Sequence, residues 1–77
     1  MKIRIQKIKE VEKPVHPNNI SVGYIREMFV DEKSLPPTVN ERFPRNTPWS
    51  TSIVQEVINE HTFRTLNSIY TWEVIDD

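Results

Sequence analysis

Polar and apolar residues alternate from the start of the chain as Lys2-Ile3-Arg4-Ile5, and the apolar phase then shifts at Ile8. Strict alternation predicts a half-buried strand over residues 2–11, and the change of phase near Gln6-Lys7 predicts a β-bulge that curves it. Residues 12–19 carry two prolines and an Asn pair, which interrupt helix and ladder alike and predict a loop. A second strand is expected over 20–30. Its even positions read Ile20, Val22, Tyr24, Arg26, Met28 and Val30, with Ile25 and Phe29 on the opposite face. Gly23, the only glycine, falls in this stretch and marks a bend or a close backbone approach.

Residues 31–50 read as an irregular segment: a turn at Asp31–Ser34, extended chain at Leu35-Pro36-Pro37, a short strand over 39–43, and a loop through Pro48 and Trp49. Residues 51–60 support two readings. Ile53/Val57 and Val54/Ile58 have helical spacing, and Ser52 with Gln55 resembles a capping box. Their β-branched content and the alternating segment that follows favour a strand over 52–58, a turn at Asn59-Glu60-His61, and a returning strand over 62–75. The Asn67-Ser68 pair within that last strand can accommodate a bulge.

Composition strengthens the β reading. Nine Ile and eight Val stand against two Leu and no Ala. Branched side chains lose rotamer freedom in helices and pack well on a pleated sheet, whereas Ala and Leu are the strongest apolar helix formers. The expected fold is all-β: a small antiparallel barrel or strongly curled sheet of four to five strands, with an SH3-like or OB-like outline. At 77 residues the chain is expected to be one domain, 1–77. A core this small contributes only a few kcal/mol net, roughly 3–5, and the absence of Cys removes disulfides, thiolate zinc sites and cysteine nucleophiles.

Charge changes the picture little. The net charge is -1, with residues 1–13 at +3 and the remainder at -4. A non-specific DNA binder is usually more basic, and the cationic first strand fits a solvated face whose lysines guard an edge. No apolar run approaches the roughly 18 residues of a membrane helix, and charge interrupts the N-terminus too often for a signal peptide. A cytoplasmic location without membrane contact is therefore expected.

Catalytic patterns are sparse. His16 and His61 lack a second ligand at metal spacing, Ser50-Thr51-Ser52 lacks nucleophile-elbow glycines, and Glu56, Glu60 and Glu73 fit the polar side of a strand. No metal, cofactor or enzymatic activity is expected. Aromatic and arginine residues in the second half form the candidate contact set. Phe43, Phe63 and at least one of Tyr70 or Trp72 are expected in the core, with Arg42, Arg45, Trp49, Arg64, Asn67 and Tyr70 as candidate partner-binding residues. The expected function is a non-enzymatic binding module, an inhibitor, regulator or accessory subunit of the kind that phages and mobile elements encode. Its expected partner is another protein or a second copy, held at a free sheet edge. The alternative is nucleic-acid or nucleotide binding, with Trp49, Tyr24 and Tyr70 stacking on bases and Arg42, Arg45 and Arg64 meeting phosphates.

Overall fold

In a computed structural model describing residues 1–11 and 21–76, five antiparallel strands form one sheet. They are β1 (Lys2–Glu10), β2 (Ile25–Phe29), β3 (Val54–Asn59), β4 (Thr62–Thr65) and β5 (Ser68–Asp76). Their order across the sheet is β2-β1-β5-β4-β3, so the first and last strands in sequence lie together at the centre. The loop expected over 12–19, with His16, and Ile20 of the expected second strand lie outside the described residues.

The alternation in β1 is realised: Ile3 and Ile5 point into the core. The phase does not shift to bury Ile8, however. Lys7 keeps the inward phase and is fully buried, while the register against β5 breaks between Lys7 and Lys9 and leaves Ile8 exposed. The bulge thus lies just beyond its expected place, and it has a consequence for packing. Lys7 pairs with Tyr70 and Glu10 with Ser68, two residues on one face of β5, so the extra residue brings Lys7 and Glu10 to the same side. Lys7 Nζ donates to Glu10 Oε1 at 3.0 Å, and Ser68 Oγ donates to Glu10 Oε2 at 3.3 Å.

The second strand is shorter than expected, because residues 21–24 leave the ladder at a turn where Gly23 adopts φ 95°. Within the strand the two faces divide as read, with Arg26 and Met28 half-buried and Val30 buried opposite Ile25 and Phe29, whereas Val22 lies in the turn and is exposed. The strand expected over 62–75 is two strands. A turn at Leu66-Asn67 folds β5 back onto β4, pairing Phe63 with Tyr70, and the Thr65 hydroxyl closes it by accepting from Ser68 N at 3.2 Å. Residues 54–59 are strand, not helix, and the β3–β4 turn is secured by Asn59 Oδ1 accepting from His61 N at 2.9 Å.

The sheet does not close into a barrel; β2 and β3 end the order without pairing to each other. The long connection between them does the covering that closure would have done. Phe43, from this segment, is fully buried and packs edge-on against Phe63 at 5.0 Å and tilted against Trp72 at 5.3 Å. Val30, Ser34, Pro37, Pro44 and Thr51 are buried with it. The core therefore lies between one face of the sheet (Ile3, Ile5, Phe63, Tyr70) and an irregular second layer. The strand expected over 39–43 does not form: Asn40 has φ 75°, and the segment's backbone contacts are isolated, Asn40 N donating to Val54 O at 2.8 Å, Val54 N to Glu41 O at 2.9 Å and Thr51 N to Phe43 O at 2.7 Å. Apart from a 3-10 turn at Glu32–Ser34, this layer has no regular structure. Side-chain donors satisfy the carbonyls of Lys33, Leu35, Pro36, Pro44, Trp49 and Thr51, and backbone amides those of Ser34, Glu41 and Phe43.

Candidate interaction surfaces

The six candidate contact residues separate once folded. Tyr70 is buried, stacks on Phe63 at 5.4 Å and belongs to the core, so it presents no ring face. Burial holds its phenol above the ordinary tyrosine range. Arg45 is turned inward on its own loop. Its guanidinium donates to Pro36 O at 2.7 Å, Leu35 O at 2.8 Å, Lys33 O at 3.1 Å and Thr38 Oγ1 at 2.9 Å, and it pairs with Glu41 at 3.3 Å. That set occupies both Nη groups and leaves little for a phosphate.

Arg64 lies on the solvent face of β4, where Nε donates to Glu56 of β3 at 3.2 Å. Arg42 is exposed and makes one long bond to Thr51 O at 3.4 Å. It lines a shallow hollow of about 250 Å³ with Asn67, Ile53 and Leu66, where two of the six meet beside exposed apolar surface. Arg42 and Arg45 also line a second hollow of about 360 Å³. Asn67 is otherwise structural: its carbonyl accepts from Val11 N at 2.8 Å.

Trp49 leaves the arginines it was grouped with and joins β2. Its ring stacks with Tyr24 at 6.5 Å, the Arg26 guanidinium lies 4.9 Å from its centroid, and Arg26 Nη1 donates to the Tyr24 hydroxyl at 3.2 Å. Tyr24 and Arg26 lie two residues apart and so share the inward face of the hairpin. This period-2 spacing was the available signal for the cluster; its meeting with Trp49 is tertiary.

The other face of the sheet is uncovered by any described residue. An ionic row crosses it from β2 through β1 to β5: Arg4 binds Glu27 at 2.9 Å and Glu73 at 3.2 Å, and Lys2 approaches Glu27 at 3.5 Å. The bonds from Arg4, with Lys2 adding attraction, hold the Glu27 carboxyl below its ordinary range. Beside the row, Arg4, Gln6, His61, Thr71, Trp72 and Glu73 line a basin of about 300 Å³. The three carboxylates considered for acid–base work do not act as a set, since Glu56 is bound to Arg64 and Glu73 to Arg4. Among the described residues no group of three or more His, Asp or Glu is placed to hold a metal, and no helix is long and apolar enough to cross a membrane.

The two outer strands differ in kind. The β3 ladder to β4 is irregular twice, between Val54 and Glu56 and between Val57 and Asn59, and such bulges blunt an edge. By contrast β2 pairs with β1 in unbroken register from Lys2↔Phe29 to Gln6↔Ile25. Met1 and Val30 exchange hydrogen bonds of 3.2 and 2.9 Å, and Lys7 N donates to Tyr24 O at 3.0 Å. Antiparallel ladders alternate bonded and non-bonded pairs, so Arg26, Met28 and Val30 direct their amides and carbonyls toward β1. Tyr24 directs only its carbonyl there, its amide donating to Ser21 O at 3.1 Å. The amides and carbonyls of Ile25, Glu27 and Phe29 point outward, where no described residue pairs with them. Phe29 and Ile25 are also among the most exposed large apolar side chains, at 74% and 51%.

No family model, curated protein sequence or solved structure matches this chain.

Proposed function

We propose that the chain is a non-enzymatic interaction module that recognises another polypeptide at a sheet edge, acting as a regulator, inhibitor or accessory subunit in the cytoplasm. The observation that carries this reading is the outer edge of β2: regular, unbulged, with the amides and carbonyls of Ile25, Glu27 and Phe29 directed away from the sheet. An added strand gains backbone hydrogen bonds there, and Ile25 and Phe29 supply apolar contact on alternate positions. The test is affinity capture with the wild-type chain and a Glu27→Pro variant as baits, followed by mass spectrometry. Proline removes an outward amide without touching the ladder to β1. A protein retained by the wild type and lost by the variant supports the reading; a strict monomer that retains nothing counts against it.

A second reading draws on the stack of Tyr24, Arg26 and Trp49, a geometry that suits planar bases beside an arginine. It is the weaker one, because Arg45 and Arg64 are committed to their own chain. Fluorescence anisotropy with short DNA and RNA at low and high salt tests it. Phosphate-driven binding must weaken steeply as salt rises.

A further inference from the structure

We infer that the β2 edge pairs with the β2 edge of a second copy, antiparallel and centred on Glu27, joining two sheets into one continuous sheet. The inference rests on the interaction-module reading above and names its partner. A twofold axis in an antiparallel pair must relate a residue to its own copy, so the candidate centres along the strand are few. Centred on Met28, the register sets Ile25 against Asp31, whose carbonyl already accepts from Ser34 N at 2.9 Å. A centre on Arg26 sets Phe29 against Gly23, which at φ 95° has left strand geometry. Only the Glu27 centre keeps the pairing within the extended residues 25–29. It then closes up to about six backbone hydrogen bonds from the outward groups of Ile25, Glu27 and Phe29.

The side chains fit this register. Ile25 lies opposite Phe29 of the second copy, twice, covering two of the most exposed apolar groups on the molecule. Arg26 lies opposite Met28 on the inward side. The unfavourable element is Glu27 opposite itself, because like charges across a ladder repel. Here each carboxylate is already held by Arg4 at 2.9 Å and approached by Lys2 at 3.5 Å, so the seam carries cations on both flanks. One five-residue strand from each copy makes a small interface, and the dimer belongs to the weak, reversible class.

Sedimentation equilibrium over a wide concentration range tests the inference. The wild type is expected to show a monomer–dimer equilibrium. Glu27→Ala keeps the amide and retains the dimer, whereas Glu27→Pro removes the amide from both strands and raises the dissociation constant by about tenfold or more. Circular dichroism checks that the proline variant is folded. A charge swap reads the register without any proline: Ile25→Lys weakens the dimer by about tenfold, and Ile25→Lys with Phe29→Glu restores it, since the two positions face each other only across the seam. A wild type that remains monomeric at the highest concentration overturns the inference. So does a dimer equally tight in the Glu27→Ala and Glu27→Pro variants, or one that the paired charges fail to restore. If the chain is monomeric yet captures another protein in a manner sensitive to Glu27→Pro, self-pairing fails while the interaction-module reading stands. If neither occurs, both fail.

Discussion

Arg45→Ala is expected to cost about 2–3 kcal/mol of folding stability, and the figure follows from the bonds it breaks. The guanidinium donates to three carbonyls and a hydroxyl of residues 33–38 and pairs with Glu41, tying together the irregular layer that covers the core. A hydrogen bond from a charged donor contributes roughly 1.5–3 kcal/mol when buried. Arg45 is 23% exposed and several of these carbonyls lie near water, so solvent replaces part of the loss. The remainder is still a large share of the roughly 4–12 kcal/mol that a chain of this length can hold. Arg45→Lys keeps the charge but loses the fork, and recovers no more than about half. Arg64→Ala supplies the contrast: it removes one exposed ion pair with Glu56 and costs less than about 1 kcal/mol. Urea unfolding monitored by tryptophan fluorescence measures all three, with the denaturant slope unchanged. An Arg45→Ala protein within about 0.5 kcal/mol of wild type would refute the clamp, and would return Arg45 to the set available for a ligand.

Other expectations follow from the same geometry. Phe43→Ala empties the meeting point of the loop layer and the sheet and is expected to cost about 3–5 kcal/mol in the same urea assay, more than any exposed aromatic truncation. Lys7→Ala leaves the Glu10 carboxylate, itself largely buried, without its cation, and is expected to cost about 3–5 kcal/mol where a surface lysine would cost almost nothing. Gly23→Ala is expected to cost about 1–2 kcal/mol; no atom crowds the position, so the loss is one of backbone conformation at φ 95°, and Gly23→Asn recovers part of it. Burial raises the Tyr70 pKa in the folded state, so the native protein retains this proton longer than the unfolded chain. The resulting stability is complete below the unfolded value near 10.0 and is lost as pH rises through the higher folded value. Thermal melts across alkaline pH check the sign, with Tyr70→Phe expected to flatten the dependence.

What the sequence disclosed and what it withheld divide along local and tertiary lines. Period-2 alternation located the inward faces of β1 and β2, because the pleat converts spacing directly into direction. The β-branched run at 53–58 outweighed helical spacing for the same reason, and the edge-strand position of β3 leaves those residues no helical partner surface. The Leu66-Asn67 turn was hidden because it contains no glycine or proline; it is closed by Thr65 and Ser68, residues equally at home in a strand. Burial of Lys7 was legible only as a polar residue in an apolar phase, and the bulge that supplies Glu10 as its partner has no composition of its own. Strand count and length fit a small barrel and a curled sheet alike, and the sheet is open, with β2 and β3 at its ends. The proline-containing segment that covers the core looks in sequence like a surface loop. For the contact set, residue type indicated capacity for binding, yet Arg45 and Tyr70 spend that capacity inside the fold. Trp49 spends it on Tyr24 and Arg26.

Amide hydrogen exchange, resolved residue by residue along β2 in a dilute sample where self-association is negligible, probes this account at its centre. The open edge predicts slow exchange at Arg26 and Met28, whose amides face β1, alternating with fast exchange at Ile25, Glu27 and Phe29. Raising the protein concentration should then slow the fast set and leave the slow set unchanged. Uniform protection across residues 25–29 in the dilute monomer would contradict the account, because the edge would already be paired within the chain.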